Sequence, residues 1–127
     1  MDTFLKPLFL ALAVIGLTAV PAAAGGGDQP VIEVVTLKLK PGVSHRDFAP
    51  VDLAVERQHV SKHPGFLSRE TAAGADGNWL VIVKWASAKD ADASMSTFMK
   101  APAAAKFMSM IDAETMVMKR YTANPRQ

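Results

Sequence analysis

The clearest pattern in the chain is a seven-residue apolar run at residues 79–85. It reads Trp-Leu-Val-Ile-Val-Lys-Trp and follows a segment at residues 74–78 that contains glycine and asparagine. Such a short run, rich in Val, Ile and Trp, is typical of a β-strand preceded by a loop. Because its two alternating faces are both apolar, we predict that both sides of the strand are covered.

Three more strands are predicted from similar but weaker patterns. Residues 31–40 mix apolar and polar positions before a Pro-Gly pair, residues 67–73 follow a His-Pro-Gly-Phe segment, and residues 114–122 carry apolar groups on both faces. Residues 74–78, with two glycines, are the expected hairpin loop before the strand at 79–85.

Helices are predicted between these strands. Ser44 followed by Asp47 resembles a capping box and opens a helix to about residue 62. Ser87 followed by Asp90 opens a second, amphipathic helix, and Pro102 suits the first turn of a further helical segment. The order strand, helix, strand, strand, helix, strand is that of the ferredoxin-like βαββαβ fold. This is an α+β fold with a four-stranded antiparallel sheet and helices on one face.

The face of the sheet that the helices leave uncovered would carry many apolar residues. Monomeric proteins rarely keep such a patch exposed. A symmetric dimer in which two sheets face each other would bury it. We therefore predict a homodimer.

Residues 1–24 have the features of a signal peptide. Lys6 supplies positive charge, an apolar run of about 13 residues follows, and small residues precede Gly25. Because that run is shorter than the ~20 residues that span a bilayer, we predict a cleaved signal peptide. The small residues favour cleavage after Ala24, with Ala22 as the second candidate site. An uncleaved amino-terminal anchor is the alternative. Cleavage implies a periplasmic or secreted protein with no membrane attachment.

The remaining chain suits a single domain. We assign residues 25–30 to a flexible linker, residues 31–123 to the folded domain and residues 124–127 to a tail. The chain has no cysteine, so disulfides contribute nothing to its stability. Its formal net charge of +2, with scattered basic residues, argues against nucleic acid as a partner.

Three segments carry a family resemblance. They are Pro-Gly-Phe-Leu-Ser-Arg-Glu at residues 64–70, the strand at 79–85 followed by Ala-Ser and then Asp-Ala at 90–91, and Ala-Pro-Ala at 101–103 ahead of Phe107. This pattern resembles the antibiotic biosynthesis monooxygenase (ABM)-like dimeric α+β barrel family. The resemblance implies a homodimer whose two sheets form a barrel, with a pocket in each protomer between sheet and helices. Members of the family oxidise polycyclic phenols without metal or flavin, degrade haem, or have no assigned reaction.

The haem-degrading members have an asparagine on the first strand, a tryptophan ending the third strand and a haem-ligating histidine ten residues later. Trp85 matches the tryptophan, but Met95 stands at the ligand position and Val35 or Thr36 where the asparagine is expected. Methionine at helical spacing usually fills a core. We therefore expect no cofactor, and haem is disfavoured.

Candidate site residues follow from the apolar stripes. Trp85 ends a strand, Met95 and Phe98 lie on the stripe of the second helix, and Val55 lies on that of the first. We predict that these four line a pocket for a small apolar or aromatic molecule. His59, at the edge of the stripe that contains Val55, is the candidate base; the alternative is a partly buried histidine that hydrogen-bonds the backbone.

The other candidates have more ordinary interpretations. His63 precedes a proline and is interpreted as a helix-terminal cap, and His45 is expected in solvent. The three histidines lack metal-ligand spacing, so no metal site is predicted. Arg69 and Glu70 alternate along a strand, so at most one of them can face a pocket.

Three functions remain open. The chain could be a cofactor-independent monooxygenase in which the pocket excludes water and orients an aromatic molecule that itself activates oxygen. It could be a periplasmic protein that binds a small molecule, or haem, without turnover. It could also be a structural dimer without a ligand. Acid–base catalysis needs a positioned proton acceptor, and the apolar stripes offer almost none.

Overall fold

A computed structural model describes residues 29–125 of the chain. The strands are β1 (Val31–Leu39), β2 (Phe66–Ala73), β3 (Asn78–Trp85) and β4 (Ile111–Thr122), and they form one antiparallel sheet in the order β2-β3-β1-β4. The helices are α1 (His45–Gln58), α2 (Ala88–Ser96) and α3 (Ala104–Met110), with 3-10 turns at Val60–Lys62 and Phe98–Lys100. The predicted α+β ferredoxin-like arrangement is therefore confirmed.

Three predicted segments fall wholly or partly outside this range. The signal peptide assigned to residues 1–24 lies outside the described residues, as do most of the linker and the last two residues of the tail. Within residues 29–125, no helix is both long enough and apolar enough to cross a bilayer.

Two predicted boundaries were wrong by three or four residues. Helix α1 ends at Gln58 instead of near residue 62, because His59 leaves the helical conformation (φ −138°, ψ −64°) and a 3-10 turn follows. Strand β4 begins at Ile111 instead of residue 114, because α3 passes into the strand without a loop.

The predicted helix starts are confirmed by their hydrogen bonds. The Ser44 hydroxyl accepts the Asp47 amide at 3.0 Å. The Ser87 hydroxyl accepts the Asp90 amide at 3.1 Å and donates to the Asp90 carboxylate at 2.9 Å. Gly65 (φ +84°) lies against this second cap, where a Cβ atom would overlap the Asp90 carboxylate. Only glycine therefore lets β2 begin so close to the start of α2.

The core lies between the helices and one face of the sheet. Phe48 of α1 contacts Trp79 edge-to-face at 5.1 Å and Phe107 of α3 at 5.0 Å between ring centroids. The expectation that His45 lies in solvent was wrong. Its ring is half-buried against Trp79 at 5.9 Å, because the first turn of α1 packs over the start of β3.

Bulges on both edge strands decide which side chains face the helices. Thr36 and Lys38 of β1 pair with Val117 and Asp112 of β4, so β4 holds extra residues at this point. A shift of this kind reverses the alternation of side chains along a strand.

The burial pattern shows the result of that reversal. Ile111 and Ala113 are buried before the bulge, whereas Met118 is buried after it. The register of β2 shifts in the same way between Phe66 and Ser68, and this shift places Arg69 opposite Val83 on the helix-covered face.

Replacing Phe48 by Ala should lower the free energy of unfolding by about 3–5 kcal/mol, because the ring is fully buried between two aromatic neighbours. Urea denaturation would measure the change. Leu53→Ala, at a 40% exposed position of the same helix, is the matched control and should cost far less. Equal losses in the two variants would contradict this packing.

Candidate functional site

A cavity of about 100 Å³ lies between the helix-covered face of the sheet and the helices. Apolar side chains form most of its lining, including Trp85, Phe98 and Phe107. Four methionines also line it: Met95, Met108, Met116 and Met118. In the described part of the chain, the lining side chains that carry a charge or a hydroxyl are Glu33, Arg69 and Ser94.

Three of the four predicted pocket residues line the cavity. They are Trp85, Met95 and Phe98. Val55 is fully buried in the core cluster and is not among the lining residues. Trp79 shares the helix-covered face with Trp85 but packs on Phe48 away from the cavity, so the two tryptophans form no common wall.

His59 is buried outside the cavity lining. Its Nε2 lies 3.1 Å from the backbone oxygen of Ser94 and 3.3 Å from the Thr97 hydroxyl. The His63 ring meets the His59 ring edge-on, with 4.4 Å between the ring centroids, and its Nε2 lies 3.2 Å from the same Thr97 hydroxyl. Burial and the nearby charge of His59 lower the pKa of His63. This histidine pair joins the end of α1 to the end of α2 and does not reach the cavity.

Glu33 of β1 is the carboxylate that reaches the cavity. Its Oε1 accepts the Trp85 indole N–H at 3.0 Å, and its Oε2 accepts Arg120 Nε at 3.2 Å and Nη2 at 2.8 Å. Arg120 Nη1 also donates to Asp92 of α2 at 2.8 Å. Burial raises the pKa of Glu33 above its ordinary value of 4.5, and this outweighs the lowering by Arg120 and Trp85.

Arg69 of β2 forms a second buried cluster on the cavity wall. Its guanidinium donates to both oxygens of Asp52 at 2.7 and 2.9 Å and to Glu56 at 3.1 Å. The side chains of Arg69 and Asp52 are each 4% exposed. Burial alone would lower the pKa of Arg69, but the hydrogen bonds and charges of Asp52 and Glu56 raise it. Arg69 therefore stays charged and ties β2 to α1.

The two clusters are similar in charge. Each holds one guanidinium and two carboxylates, so each carries a formal charge of −1 when all its groups are ionised. Of these groups Glu33 and Arg69 line the cavity, and the Arg69 guanidinium is already paired with Asp52 and Glu56. An anion beside Glu33 would therefore meet a like charge in a low-dielectric space, without an unpaired cation among the described lining residues to offset it. The site therefore favours neutral molecules over anions.

Sequence reasoning missed Glu33, Arg120 and Asp92 as site residues. In β1, the alternation of side chains was a usable signal, because Glu33 shares a face with Val31 and Val35. The bulge in β4 determines which face of the sheet Arg120 lies on, and no turn or glycine pattern in the sequence predicts this bulge. Arg69 faces the cavity while Glu70 is exposed, in line with the expectation that only one of them could do so.

Haem does not fit the lining residues. Met95 stands at the ligand position and the cavity lining contains no histidine. A cavity of about 100 Å³ is smaller than the roughly 150 Å³ that accepts one benzene ring, so it leaves no room for a tetrapyrrole. Within residues 29–125, no three His, Cys, Asp or Glu side chains are grouped so that they could hold a metal ion.

Replacing Asp52 by Ala should lower the free energy of unfolding by about 3–5 kcal/mol, because it leaves the buried Arg69 guanidinium with Glu56 alone. Alanine is the best helix former, so the loss would not come from helix propensity. Glu56→Ala is the control. Its side chain is 27% exposed, and it should cost about 0–1 kcal/mol. Chemical denaturation of both variants would show whether Asp52 is the main partner; losses of the same size would contradict this.

Comparison with known proteins gives matches in structure alone. No family model matches the chain, and no curated protein matches it by sequence. A point mutant of SnoaB, a cofactor-independent oxygenase from Streptomyces nogalater, superposes with a TM-score of 0.62 at 16% identity over 77% of this chain and 96% of its own. A candidate antibiotic biosynthesis monooxygenase from Caulobacter crescentus superposes with a TM-score of 0.62 at 20% identity over 82% of this chain and 98% of its own.

A third match, a candidate antibiotic biosynthesis monooxygenase from Bordetella bronchiseptica, has a TM-score of 0.61 at 10% identity over 76% of this chain and 99% of its own. These matches span nearly the full length of each relative, but the sequence identity is low. A structural likeness of this kind shows that the chain shares their fold. The family resemblance predicted from the sequence is thus confirmed at the level of the fold: the chain folds as the antibiotic biosynthesis monooxygenases do.

Proposed function

We propose that the protein is a cofactor-independent monooxygenase that acts on a small, electron-rich aromatic molecule. The observation that carries this proposal is the cavity, in which apolar and aromatic side chains surround one carboxylate and one guanidinium. A mostly apolar pocket with a few placed polar groups is the usual form of a small-molecule site. Fold likeness to a cofactor-independent oxygenase adds support by analogy.

The size of the cavity limits the substrate. A cavity of roughly 150 Å³ binds benzene, and this one measures about 100 Å³. A single ring is therefore the upper limit of substrate size, and it would fit only after the lining side chains move to enlarge the space. The flexible thioether side chains of Met95 and Met116, both half-buried, give the lining some freedom to adjust.

The chemistry needs no reductant other than the substrate. A quinol ring supplies all the electrons that dioxygen takes up, so that one oxygen atom enters the ring and the other leaves as water. The product is then a hydroxyquinone. The protein's part is to exclude water, hold the ring and accept a proton from its hydroxyl.

The second candidate is a protein that binds the same kind of molecule without turnover. It is favoured by the two charge clusters, because the charged lining groups Glu33 and Arg69 are already paired with other side chains of the protein. In that case the cavity would bind aromatic molecules but dioxygen would not be consumed. A third candidate is a structural dimer whose cavity holds no ligand.

We also propose that the chain forms a homodimer through the open face of the sheet. Val34 and Ile82 are paired at its centre and only half-buried, while Val117 and Tyr121 are 48% and 51% exposed. A second copy facing this surface would cover it. Export to the periplasm or the medium is a further proposal, supported by residues 1–24 of the sequence alone.

Adding a ring inside the cavity should abolish function. Val83 lines the cavity and is 6% exposed, so in Val83→Phe the new ring would occupy the space of the substrate. We expect the wild type to speed dioxygen uptake by hydroquinone, and the variant to lose this and any thermal shift with ligand. A ligand at 100 times its dissociation constant raises stability by about 2.7 kcal/mol in the wild type.

Leu53→Phe is the control for that experiment, because it adds the same ring at a 40% exposed position. It should keep both activity and binding. A wild type that shifts with aromatic ligands but never exceeds the buffer rate of dioxygen uptake would favour the binding protein. Absence of both effects would favour the structural dimer.

Val34→Glu should convert the dimer to a monomer, because it places a charge at the centre of the open face of the sheet, which the second copy would cover. Light scattering on the protein without residues 1–24 measures the mass directly. Ser109→Glu, on the exposed side of α3, should leave the mass at that of a dimer. A wild type that is monomeric at micromolar concentration would rule out this interface.

A further inference from the structure

We infer that Glu33 is the proton acceptor of the cavity and that its ligand is a neutral single ring with a hydroxyl group, while ionised carboxylates are excluded. This inference rests on the proposed function, which it deepens by naming the group that receives the proton.

The hydrogen bonds of Glu33 leave one acceptor direction open. A carboxylate oxygen can accept about two hydrogen bonds. Oε2 accepts two, both from Arg120, whereas Oε1 accepts one, from Trp85. Glu33 and Trp85 both line the cavity, so a ring bound there would lie next to this hydrogen-bonded pair. A ring hydroxyl can donate to Oε1.

Other lining groups are poor proton acceptors. Arg69 stays protonated at all ordinary pH values, and a serine hydroxyl such as that of Ser94 is a weak base. His59 does not line the cavity and contacts the Ser94 backbone oxygen instead. In the described part of the chain, Glu33 is therefore the one lining side chain suited to accept a proton.

The proton transfer balances within the site. The ring O–H bond breaks, a new O–H bond forms at Glu33 Oε1, and the electron pair of the broken bond stays on the ring oxygen. The negative charge passes from the carboxylate to the ring while Arg120 stays beside it. The total charge of the cavity is unchanged, and the electron-rich ring then reacts with dioxygen.

The charges around Glu33 explain the exclusion of anions. Arg120 of β4 and Asp92 of α2 contact each other and face Glu33, and Arg69 lies across β3 on the same face with Asp52 and Glu56 of α1. The inner face of β3 carries no charged side chain. Each cluster has one carboxylate in excess. A benzoate would add another negative charge, whereas a phenol adds none.

The same groups set the pH dependence. Because burial raises the pKa of Glu33, the carboxylate becomes protonated at a pH above 4.5 as the solution is acidified. The protonated form cannot accept the ring proton. Turnover should therefore fall on the acid side, with the midpoint of this limb above pH 4.5.

The experiment compares the wild type with Glu33→Gln, using phenol, toluene and benzoate as ligands in calorimetry. We expect the wild type to bind phenol roughly tenfold or more tightly than toluene, and to bind benzoate weakly. Glu33→Gln should lose most of the preference for phenol, keep its affinity for toluene and bind benzoate more tightly. An unchanged order of affinities in the variant would overturn the inference.

Dioxygen uptake with hydroquinone distinguishes a failure of the proposed monooxygenase function from a failure of the role given to Glu33. We expect the rate of Glu33→Gln to fall by about 10²- to 10⁴-fold, with loss of the acid limb. A variant that keeps the wild-type rate and acid limb overturns the role of Glu33 and leaves the oxygenase intact. A wild type that prefers phenol but consumes no dioxygen overturns the oxygenase and the transfer step, and keeps Glu33 as the group that recognises the hydroxyl.

Trp85→Phe provides a second readout should Glu33→Gln fail to fold. It keeps an aromatic ring but removes the N–H that donates to Oε1 and lowers the pKa of Glu33. The acid limb should then move to higher pH with a folded protein. A limb that stays in place in this variant counts against Glu33 as the titrating group.

Discussion

The ion pair between Glu33 and Arg120 is the interaction on which the interior depends. It joins the two neighbouring strands β1 and β4 on the face that the helices cover, and Asp92 extends it to α2. Charges in such a place are costly unless their hydrogen bonds are satisfied. Here Arg120 and Trp85 supply three donors to the carboxylate, so their side chains are fixed in place. One wall of the cavity is held rigid as a consequence.

The Arg69 cluster is a second buried set of ion pairs, and it lies on the other side of β3. It ties β2 to α1, so each edge strand is joined to one helix by a buried guanidinium. Between the two clusters the lining is almost wholly apolar, with four methionine side chains. The cavity therefore lies between two ion-pair clusters that join strands to helices, and flexible methionine side chains line the space between them.

Features that local sequence patterns determine could be predicted, whereas features that depend on the pairing of distant strands could not. Local signals predicted the elements well: the run at 79–85 is β3, and Ser44 and Ser87 cap the helices as expected. Trp85, Met95 and Phe98 could be assigned to the cavity because apolar periodicity marks a buried face.

The side chains of Arg69 and Arg120 could not be assigned in this way. Bulges set the orientation of Arg69 and Arg120, and a bulge arises from strand pairing over long distances. The burial of His59 outside the cavity depends on its contact with α2, which no local pattern encodes.

The most direct test is an NMR titration of the Glu33 side-chain carboxyl carbon, assigned by its loss in Glu33→Gln. The buried carboxylate should titrate above its ordinary value of 4.5, because desolvation outweighs its hydrogen bonds. The midpoint should also move when phenol is added, since the ring hydroxyl would donate to the same group. A midpoint at or below 4.5 that phenol leaves unchanged would contradict a buried proton acceptor on the cavity wall.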